Sequence, residues 1–394
     1  MSRSIITGID IGTYHIKVVI THGSEKNEKG FPKVLGMGMA ESRGLRHGYI
    51  VNLQDVIDSI RQAVNEAEKR VDVKVRKAFV SIGGIGLGSI VSTSSIIISR
   101  ADSEITSLDV KRVSEQCEKD IPLSLSLNKK IIHSIPLQYK IDGKITLGKP
   151  EGMKGSKFEI KTLYVTCLEH HLDDIIQAVE EAGISVQDVM ASPIAASLVT
   201  LTKSQKIAGC VLANIGAETV SIAVFENNSP VSIEIFPIGS TDITNDIALG
   251  LKVPLEEAEQ IKIGAITGSS YPRKKLEEII SARLSDIFEL IEAHLKKIGR
   301  NGLLPAGIVI TGGGSGLTSI EDMAKVALRL PSRIGAVQLG ISEKQSFKDS
   351  TWAVAYGLCI LGTQADESMP IDTSSKIIAD TTRTLKAWFK QFLP

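Results

Sequence analysis

Runs of β-branched residues mark out short strands along the chain, and the first two such runs lie on either side of a tight turn. Residues 5–11 and 15–20 are predicted to be the two strands, with Gly12 and Thr13 between them and Asp10 on the incoming strand. Such a hairpin can direct backbone N–H groups and a hydroxyl toward a phosphate. It is not a P-loop, because a strand rather than a helix follows the turn. Taken alone, this segment is also compatible with an ordinary hairpin that binds no phosphate.

The same pattern returns in the second half of the chain. Residues 211–225 repeat the order strand, polar residue–Ile–Gly turn, strand, and Asn214 stands where Asp10 stands in the first copy. Each half also contains a helical stretch rich in small residues, at 192–198 and 352–358, and small side chains let two helices cross closely. Two related halves, each with a phosphate hairpin, predict a nucleotide bound in the cleft between them.

A glycine-rich loop is the third element of the predicted site. Residues 307–311 form a buried strand, four glycines follow within 312–316, and a helix is predicted over 319–328. Glycines at this position allow the backbone to approach a base or a ribose closely. Upstream, Glu259 and Lys262 lie three residues apart on one helix, where they can bind ribose hydroxyls or form an exposed ion pair.

Taken in order, these segments resemble the actin-like ATPase superfamily of actin, the heat-shock chaperones and the sugar kinases, over residues 5–362. The resemblance implies an α/β fold of two duplicated lobes with small inserted subdomains. It also implies that ATP and Mg²⁺ bind in the cleft, with Asp10 holding Mg²⁺ through water, while Lys17 faces either phosphate or solvent. The implied nucleotide-binding residues are Asp10, Gly12, Thr13, Tyr14, Lys17, Asn214, Gly216, Ala217, Glu218, Thr219, Glu259, Lys262, Gly312, Gly313 and Gly314.

Three departures from the superfamily pattern concern hydrolysis. Asn214 replaces an aspartate, Ser192 stands where hydrolytic relatives often carry Glu or Gln, and Ala217 replaces a frequent glycine. Backbone groups do most of the phosphate binding, so nucleotide binding survives these changes, whereas positioning of the attacking water does not. We therefore expect ATP to act first as a structural and assembly ligand with at most slow hydrolysis, and no catalytic residue is assigned.

An insertion in the first half of the chain indicates which family of the superfamily the sequence resembles. Residues 85–161 contain β-rich segments at 90–99 and 130–141 around a helical stretch at 107–119, enough for a small α/β subdomain. The position and length of this insertion, together with the helix at 172–182, resemble FtsA, a family of bacterial cell-division proteins. The subdomains implied are a first large lobe at 1–84 and 162–196, the insertion at 85–161, a second large lobe at 197–230 and 299–362, and a small subdomain at 231–298.

In that family the second small subdomain binds the C-terminal tail of the tubulin-like protein FtsZ. A helix predicted over 276–287 resembles the family's helix there, and the residues implied are Arg283, Asp286 and Arg273. An ordinary solvated helix face remains the alternative for each of them. The resemblance further implies self-assembly into filaments and recruitment of other division proteins.

The last residues form a polar linker followed by an amphipathic segment. Residues 363–380 are polar and acidic, which predicts a flexible linker. Residues 381–394 contain no acidic side chain, and at 100° per residue their apolar side chains share one helix face beside a basic flank. This pattern predicts binding to anionic lipid, although docking on protein is the alternative. The resemblance to FtsA implies that the lipid is that of the cytoplasmic face of the cell membrane at the division site. The residues concerned are Arg383, Leu385, Lys386, Trp388, Phe389, Lys390, Phe392 and Leu393.

Composition and charge restrict the other possibilities. With 45 basic and 45 acidic side chains, the chain lacks the net positive charge typical of nucleic-acid binding. Its four cysteines are too widely spaced for a CxxC motif, and we expect neither a signal peptide nor a spanning helix, which together favour the cytoplasm. Two alternatives remain: a pilus-assembly platform of the PilM type, and a sugar or acetate kinase of the same fold, for which no persuasive catalytic carboxylate is present.

Overall fold

The first half of the chain forms one large sheet, interrupted by a smaller inserted sheet. The structure, a computed structural model, describes residues 5–367 apart from residues 27–29, 70, 72, 267–270, 336 and 343–344. In chain order the elements are β1 (Ile5–Ile11), β2 (His15–Lys26), β3 (Pro32–Glu41), β4 (Leu45–Arg46), β5 (Tyr49–Ile50), α1 (Leu53–Glu68), β6 (Lys77–Ile82), β7 (Gly88–Ile97), α2 (Ser107–Lys119), α3 (Leu123–Ser126), β8 (Lys129–Ile141), β9 (Lys144–Thr146), β10 (Lys157–Leu168), α4 (Glu169–Glu181), β11 (Ser185–Ala191) and α5 (Ser192–Thr200).

The second half forms another large sheet and a group of three helices. Short 3₁₀ turns at Gly313–Gly316 and Ser350–Trp352 interrupt it. The elements are α6 (Lys203–Ala208), β12 (Cys210–Ile215), β13 (Val220–Glu226), β14 (Ser229–Phe236), α7 (Ser240–Leu251), α8 (Leu255–Lys262), α9 (Arg273–Lys297), β15 (Ile308–Thr311), α10 (Ile320–Leu328), β16 (Ser332–Ile334), β17 (Gln338–Ser342), β18 (Gln345–Lys348) and α11 (Ala353–Glu367).

The two large sheets share one topology. Their strand orders are β11-β6-β1-β2-β3 and β14-β13-β12-β15-β16. In each sheet the first three strands in the chain are antiparallel neighbours, and the last two continue from the first strand in parallel. The central strands are buried almost continuously, as expected where helices cover both faces. The predicted α/β fold of two duplicated lobes is thereby confirmed.

Helices α5 and α11 cross between the lobes. They are the two small-residue segments of the sequence, and their side chains join one hydrophobic core that draws residues from both large sheets. A Cβ atom added at Gly357 would lie 2.0 Å from the carbonyl oxygen of Ala195, so only glycine allows this approach. The lobes therefore meet through backbone contact between two helices.

The inserted subdomain is a sheet of order β7-β10-β8-β9 with α2 packed on one side. A capping box starts α2, because Thr106 N donates to Asp109 Oδ2 at 2.9 Å, and the helix spans the segment predicted from the sequence. Strand β10 pairs with β7 from Lys157 to Thr166 and with β8 from Phe158 to Leu168. The boundary expected at residue 161 therefore falls inside a strand, and the inserted sheet extends to residue 168.

The small second subdomain consists of α7, α8 and α9. Helix α9 begins at Arg273 and ends at Lys297, well beyond the helix predicted over 276–287. Strand β14 pairs with β13 in the large sheet from residue 229 to residue 236. The boundary expected between residues 230 and 231 therefore cuts a strand of the second lobe.

A buried histidine ties α9 to β14. Ser232 Oγ and His294 Nε2 are 2.8 Å apart, and Glu234 Oε2 lies 3.4 Å from His294 Nδ1. Burial, with a smaller contribution from nearby Lys297, lowers the pKa of His294 to about 4. The imidazole is therefore neutral in the folded protein at neutral pH.

The end of α11 differs from the expectation for the tail. The helix runs to Glu367 and Thr363 is buried, so the linker expected at 363–380 begins inside a helix. Residues 368–394, with the predicted amphipathic segment, lie outside the described residues. Among the residues that the structure describes, no helix has the length and apolar character needed to cross a bilayer.

The helix crossing makes stability sensitive to substitution of Gly357. We expect Gly357→Ala to reduce the free energy of unfolding by about 1–3 kcal/mol or more, because the added carbon overlaps a backbone oxygen. Gly88→Ala is the matched control, since a Cβ there meets nothing within 4 Å. Denaturant unfolding measures both, and equal effects of the two variants would contradict the proposed constraint.

His294 makes stability depend on pH. Its folded pKa of about 4 is below the ordinary value of 6.5, so the unfolded chain binds the extra proton. The stabilisation is complete above pH 6.5 and is lost as the pH falls toward 4, by about 2 kcal/mol at pH 5. Comparing unfolding free energies at pH 7.5 and 5, we expect His294→Gln to lose about 2 kcal/mol less than the unchanged chain. Parallel losses in the two proteins would show that another group is responsible.

Candidate functional site

The two hairpins face each other across the cleft between the lobes. One cavity of about 710 Å³ lies between α8, the glycine-rich loop and the first lobe. A second cavity of about 150 Å³ lies between the turns of the β1–β2 and β12–β13 hairpins. Together they are large enough for a small-molecule ligand. All the residues that the sequence pointed to for nucleotide binding line one or both cavities, with the exception of Glu218.

Backbone groups form the walls of the smaller cavity. A Cβ atom on Gly12 would lie 2.8 Å from the carbonyl oxygen of His15, so a side chain would fill the first turn. In the second turn, Gly216 N donates to the carbonyl oxygen of Thr219 at 2.9 Å. The carbonyl oxygen of Ala217 accepts from Thr241 N at 2.8 Å, which fixes this turn to the start of α7. Hydrogen bonds therefore fix the second turn, and residues of both turns line the smaller cavity.

Asp10 and Lys17 are paired across the first hairpin and line the smaller cavity. Burial raises the pKa of Asp10, while Lys17 and a 2.8 Å hydrogen bond from Ser81 Oγ act in the opposite direction. Burial likewise lowers the pKa of Lys17, opposed by the charges of Asp10 and Asp349. Of the two predicted orientations of Lys17, the structure has the one that faces the cleft.

The residues that depart from the superfamily pattern also lie at this cavity. Asn214 packs against Gly312, where an added Cβ would lie 2.3 Å from Asn214 Oδ1 and the φ angle is +88°. Ser192 Oγ donates to the carbonyl oxygen of Ile82 at 2.8 Å. The hydroxyl proton of Ser192 is therefore engaged with the backbone, and neither residue supplies a carboxylate to the cavity.

Glu259 and Lys262 form the wall of the larger cavity. Lys262 Nζ lies 2.6 Å from Glu259 Oε2, and it also donates to Thr244 Oγ1 at 2.8 Å and to the carbonyl oxygen of Ser240 at 3.1 Å. The side chain of Lys262 is only 6% exposed, and burial lowers its pKa. The alternative of an exposed ion pair is therefore wrong, and the pair joins α8 to α7.

Several cavity residues were missed by the sequence reasoning. Asp349 accepts from Thr351 N at 2.8 Å, and Ser350 Oγ lies 2.7 Å from Ser315 Oγ in the glycine-rich loop. Their position in the sequence, directly before the second small-residue helix, is the feature that could have indicated them as cavity residues. His15, next to the first turn, lines both cavities.

The residues expected to bind FtsZ fall into two places. Arg283 Nε and Nη2 lie 2.7 and 3.1 Å from the two carboxylate oxygens of Asp246 on α7, and Nη1 lies 3.2 Å from Asp286 Oδ2. Arg283 and Asp286 thus belong to one ion-pair network, which raises the pKa of Arg283. Arg273 is exposed at the first position of α9, about 15 Å along the helix from Arg283.

Two duplicated lobes with paired hairpins around a cleft define a protein of the actin-like class. A family model described as cell division protein FtsA matches residues 211–357, and a model of the SHS2 domain inserted in FtsA matches residues 87–166. The cell division protein FtsA of Neisseria meningitidis serogroup B is 30% identical over 389 residues, which cover 93% of this chain and 92% of that protein. The chain belongs to the FtsA family of cell-division proteins.

Solved structures support the fold. A chain of the PilM–PilN type IV pilus biogenesis complex is 18% identical, with a TM-score of 0.66 over 92% of this chain and 99% of that one. MreB5 of Spiroplasma citri bound to ADP is 12% identical, with a TM-score of 0.52 over 93% of this chain and 99% of that one. At these identities the likeness concerns the fold alone.

Proposed function

We propose that this chain is an ATP-binding scaffold of bacterial cell division. It assembles into filaments at the cytoplasmic face of the membrane, holds the FtsZ tail and helps to recruit the other division proteins. The observation that carries the proposal is the cleft in which two duplicated hairpins and a glycine-rich loop surround adjoining cavities, in a chain of the FtsA family.

ATP fits the residues of the cleft. Gly12 and Gly216 line the smaller cavity in turns too tight for a Cβ atom, so backbone groups are available there to phosphate oxygens. Asp10 would hold Mg²⁺ through water, and the ion would neutralise charge on the phosphates when bound. Glu259 and Lys262 would contact the ribose beside Gly313 and Gly314. That the related fold of MreB5 is bound to ADP supports this assignment.

Slow turnover follows from the same residues. Asn214 supplies no negative charge for Mg²⁺, and the Ser192 proton is engaged with the backbone of Ile82. Among the described side chains that line the smaller cavity, Asp10 is the one carboxylate, and it is paired with Lys17. In the part of the chain that the structure describes, no other carboxylate lines this cavity to orient an attacking water. The nucleotide thus serves assembly more than turnover.

The α7–α9 face is the proposed FtsZ site. Arg283 is held in a fixed orientation by Asp246, so its guanidinium needs no further ordering when a peptide binds. Asp286 is 55% exposed beside it and supplies an acceptor. Arg273 adds an exposed positive charge at the other end of the contact.

Membrane attachment rests on the sequence of residues 381–394. One amphipathic helix with three basic side chains binds anionic lipid weakly. A filament presents many copies, and avidity turns weak binding into stable attachment. The pilus-platform and kinase alternatives are not favoured by the family assignment.

Nucleotide binding is tested at Asp10. We expect Asp10→Asn to weaken ATP binding about tenfold or more in Mg²⁺ but little in chelator, because it removes the charge that holds the hydrated ion. Asp322→Asn, an exposed carboxylate on α10, is the control. Isothermal titration calorimetry gives the dissociation constants. An equal loss with and without Mg²⁺ would contradict the assigned role of Asp10, and failure of the unchanged chain to bind ATP would refute the proposed ligand.

Membrane binding is tested by co-sedimentation with anionic liposomes, with and without ATP. The chain ending at Glu367, which keeps α11 intact, and the variant Trp388→Glu should stay in the supernatant. Leu147→Glu is the matched control, since this side chain is 84% exposed in the inserted subdomain. We expect the unchanged chain and the control to pellet, more so with ATP. Pelleting of the truncated chain, or none of the full chain, would reject the tail as the anchor.

A further inference from the structure

A short hairpin of the first lobe contacts the second lobe beside the smaller cavity, the end of the cleft where phosphate is proposed to bind. The hairpin consists of β4 and β5, and its turn is His47 and Gly48. The backbone N–H of His47 donates to Glu218 Oε2 at 2.5 Å, and His47 Nδ1 lies 3.2 Å from the carbonyl oxygen of Glu218. Glu218, the one predicted nucleotide residue outside the cavities, thus contacts the opposite lobe instead.

The turn of this hairpin is fixed by its backbone conformation and by hydrogen bonds to both lobes. The φ angles are +48° at His47 and +88° at Gly48, both positive as a type I′ turn requires, and this turn is favoured in two-residue hairpin loops. Two hydrogen bonds hold the turn in its position. One is the hydrogen bond that His47 N donates to Glu218 Oε2, and in the other Ile85 N donates to the carbonyl oxygen of His47 at 3.3 Å.

The hairpin is also fixed to its own lobe. A Cβ atom on Gly48 would lie 2.4 Å from the Cα of Gly84. The ring of Tyr49 packs edge-on against His171, at a centroid distance of 4.8 Å. His171 Nε2 in turn lies 2.9 Å from the carbonyl oxygen of Gly83. Gly48, Gly83 and Gly84 all line the smaller cavity, so this hairpin forms part of its wall.

The loop that carries Glu218 is equally constrained. Its neighbours Gly216 and Ala217 are hydrogen-bonded through their carbonyl oxygens to Ser240 N and Thr241 N at the start of α7, at 2.9 and 2.8 Å. Two rigid loops, one from each lobe, therefore meet through Glu218 and His47. They can part only if this contact breaks.

We propose that Glu218 is a positioning residue that closes the phosphate end of the cleft and thereby sets how long a nucleotide stays bound. The inference rests on the proposed nucleotide binding. A phosphate chain bound as proposed would occupy the smaller cavity, which both joined loops border, so its release would require them to separate. A carboxylate accepting from a backbone N–H makes a charge-assisted bond, stronger than a neutral one.

Nucleotide release tests this role. A fluorescent ADP analogue labelled on the ribose is bound to the full chain with Mg²⁺ and displaced by excess ADP in a stopped-flow experiment. We expect Glu218→Ala to release it about tenfold faster, as loss of one hydrogen bond to a charged group implies. Glu218→Gln keeps an acceptor and should show a smaller increase. Glu180→Ala, an exposed carboxylate on α4, should release at the original rate.

Two outcomes would overturn the proposal. Unchanged release from Glu218→Ala would show that the contact does not limit exit. Slower release from both the Ala and Gln variants would show that Glu218 acts by repelling phosphate instead. Unfolding of the nucleotide-free variants is measured separately. Their free energies of unfolding should match that of the unchanged chain, and a lower value would identify a defect in folding.

A nucleotide-independent measurement separates this inference from the proposed function. Amide hydrogen exchange of the nucleotide-free protein reports directly on the His47 N–H, which Glu218 protects. We expect faster exchange in residues 44–50 for Glu218→Ala and not for Glu180→Ala. Failure of the unchanged chain to bind nucleotide refutes the proposed function and the claim about release. Unchanged exchange refutes the contact itself.

Discussion

The close crossing of α5 and α11 is the contact on which the geometry of the cleft depends. Gly357 of α11 contacts the backbone of Ala195 on α5. On β1, an added Cβ on Gly8 would lie 2.3 Å from the carbonyl oxygen of Ala355, which is also on α11. Helix α11 therefore supports the strand that carries Asp10. Helix α5 begins at Ser192, which is bonded to the end of β6 beside the smaller cavity. A displacement at the crossing would reach both walls of the cleft.

The sequence allowed the cleft to be predicted because its hairpins are local features that occur twice. A strand, a glycine turn and a strand are read within about fifteen residues, and repetition distinguished them from an ordinary hairpin. The same locality explains why α2 was placed correctly, since its capping box lies within four residues of Thr106.

Features that depend on distant partners could not be read in this way. Strands β10 and β14 cross the expected boundaries because strand alternation does not reveal which sheet a strand joins. Strands β4 and β5 have two residues each, too short for any periodic signal. Glu218 lies 171 residues from His47, and only the fold reveals that its carboxylate accepts from a backbone N–H of the other lobe.

The contacts that join the lobes are unequal in strength. At the crossing, a continuous hydrophobic core joins the two halves, and opening it would expose a large apolar area to water. Beside the smaller cavity, the hydrogen bond from His47 N to Glu218 Oε2 spans the cleft. In the inserted subdomain, Ser89 Oγ lies 2.8 and 2.9 Å from the backbone nitrogen and oxygen of Ile233. Because a hydrogen bond costs far less to break than the core, we expect separation of the lobes to begin at the His47–Glu218 contact and to pivot on the crossing. The inserted subdomain contacts β14 through Ser89 and also contributes Ile135, Leu163 and Val165 to the shared core, so such a rotation would change its contact with the second lobe. If copies of the chain assemble as proposed, this would link the occupancy of the cleft to the shape that each copy offers for assembly.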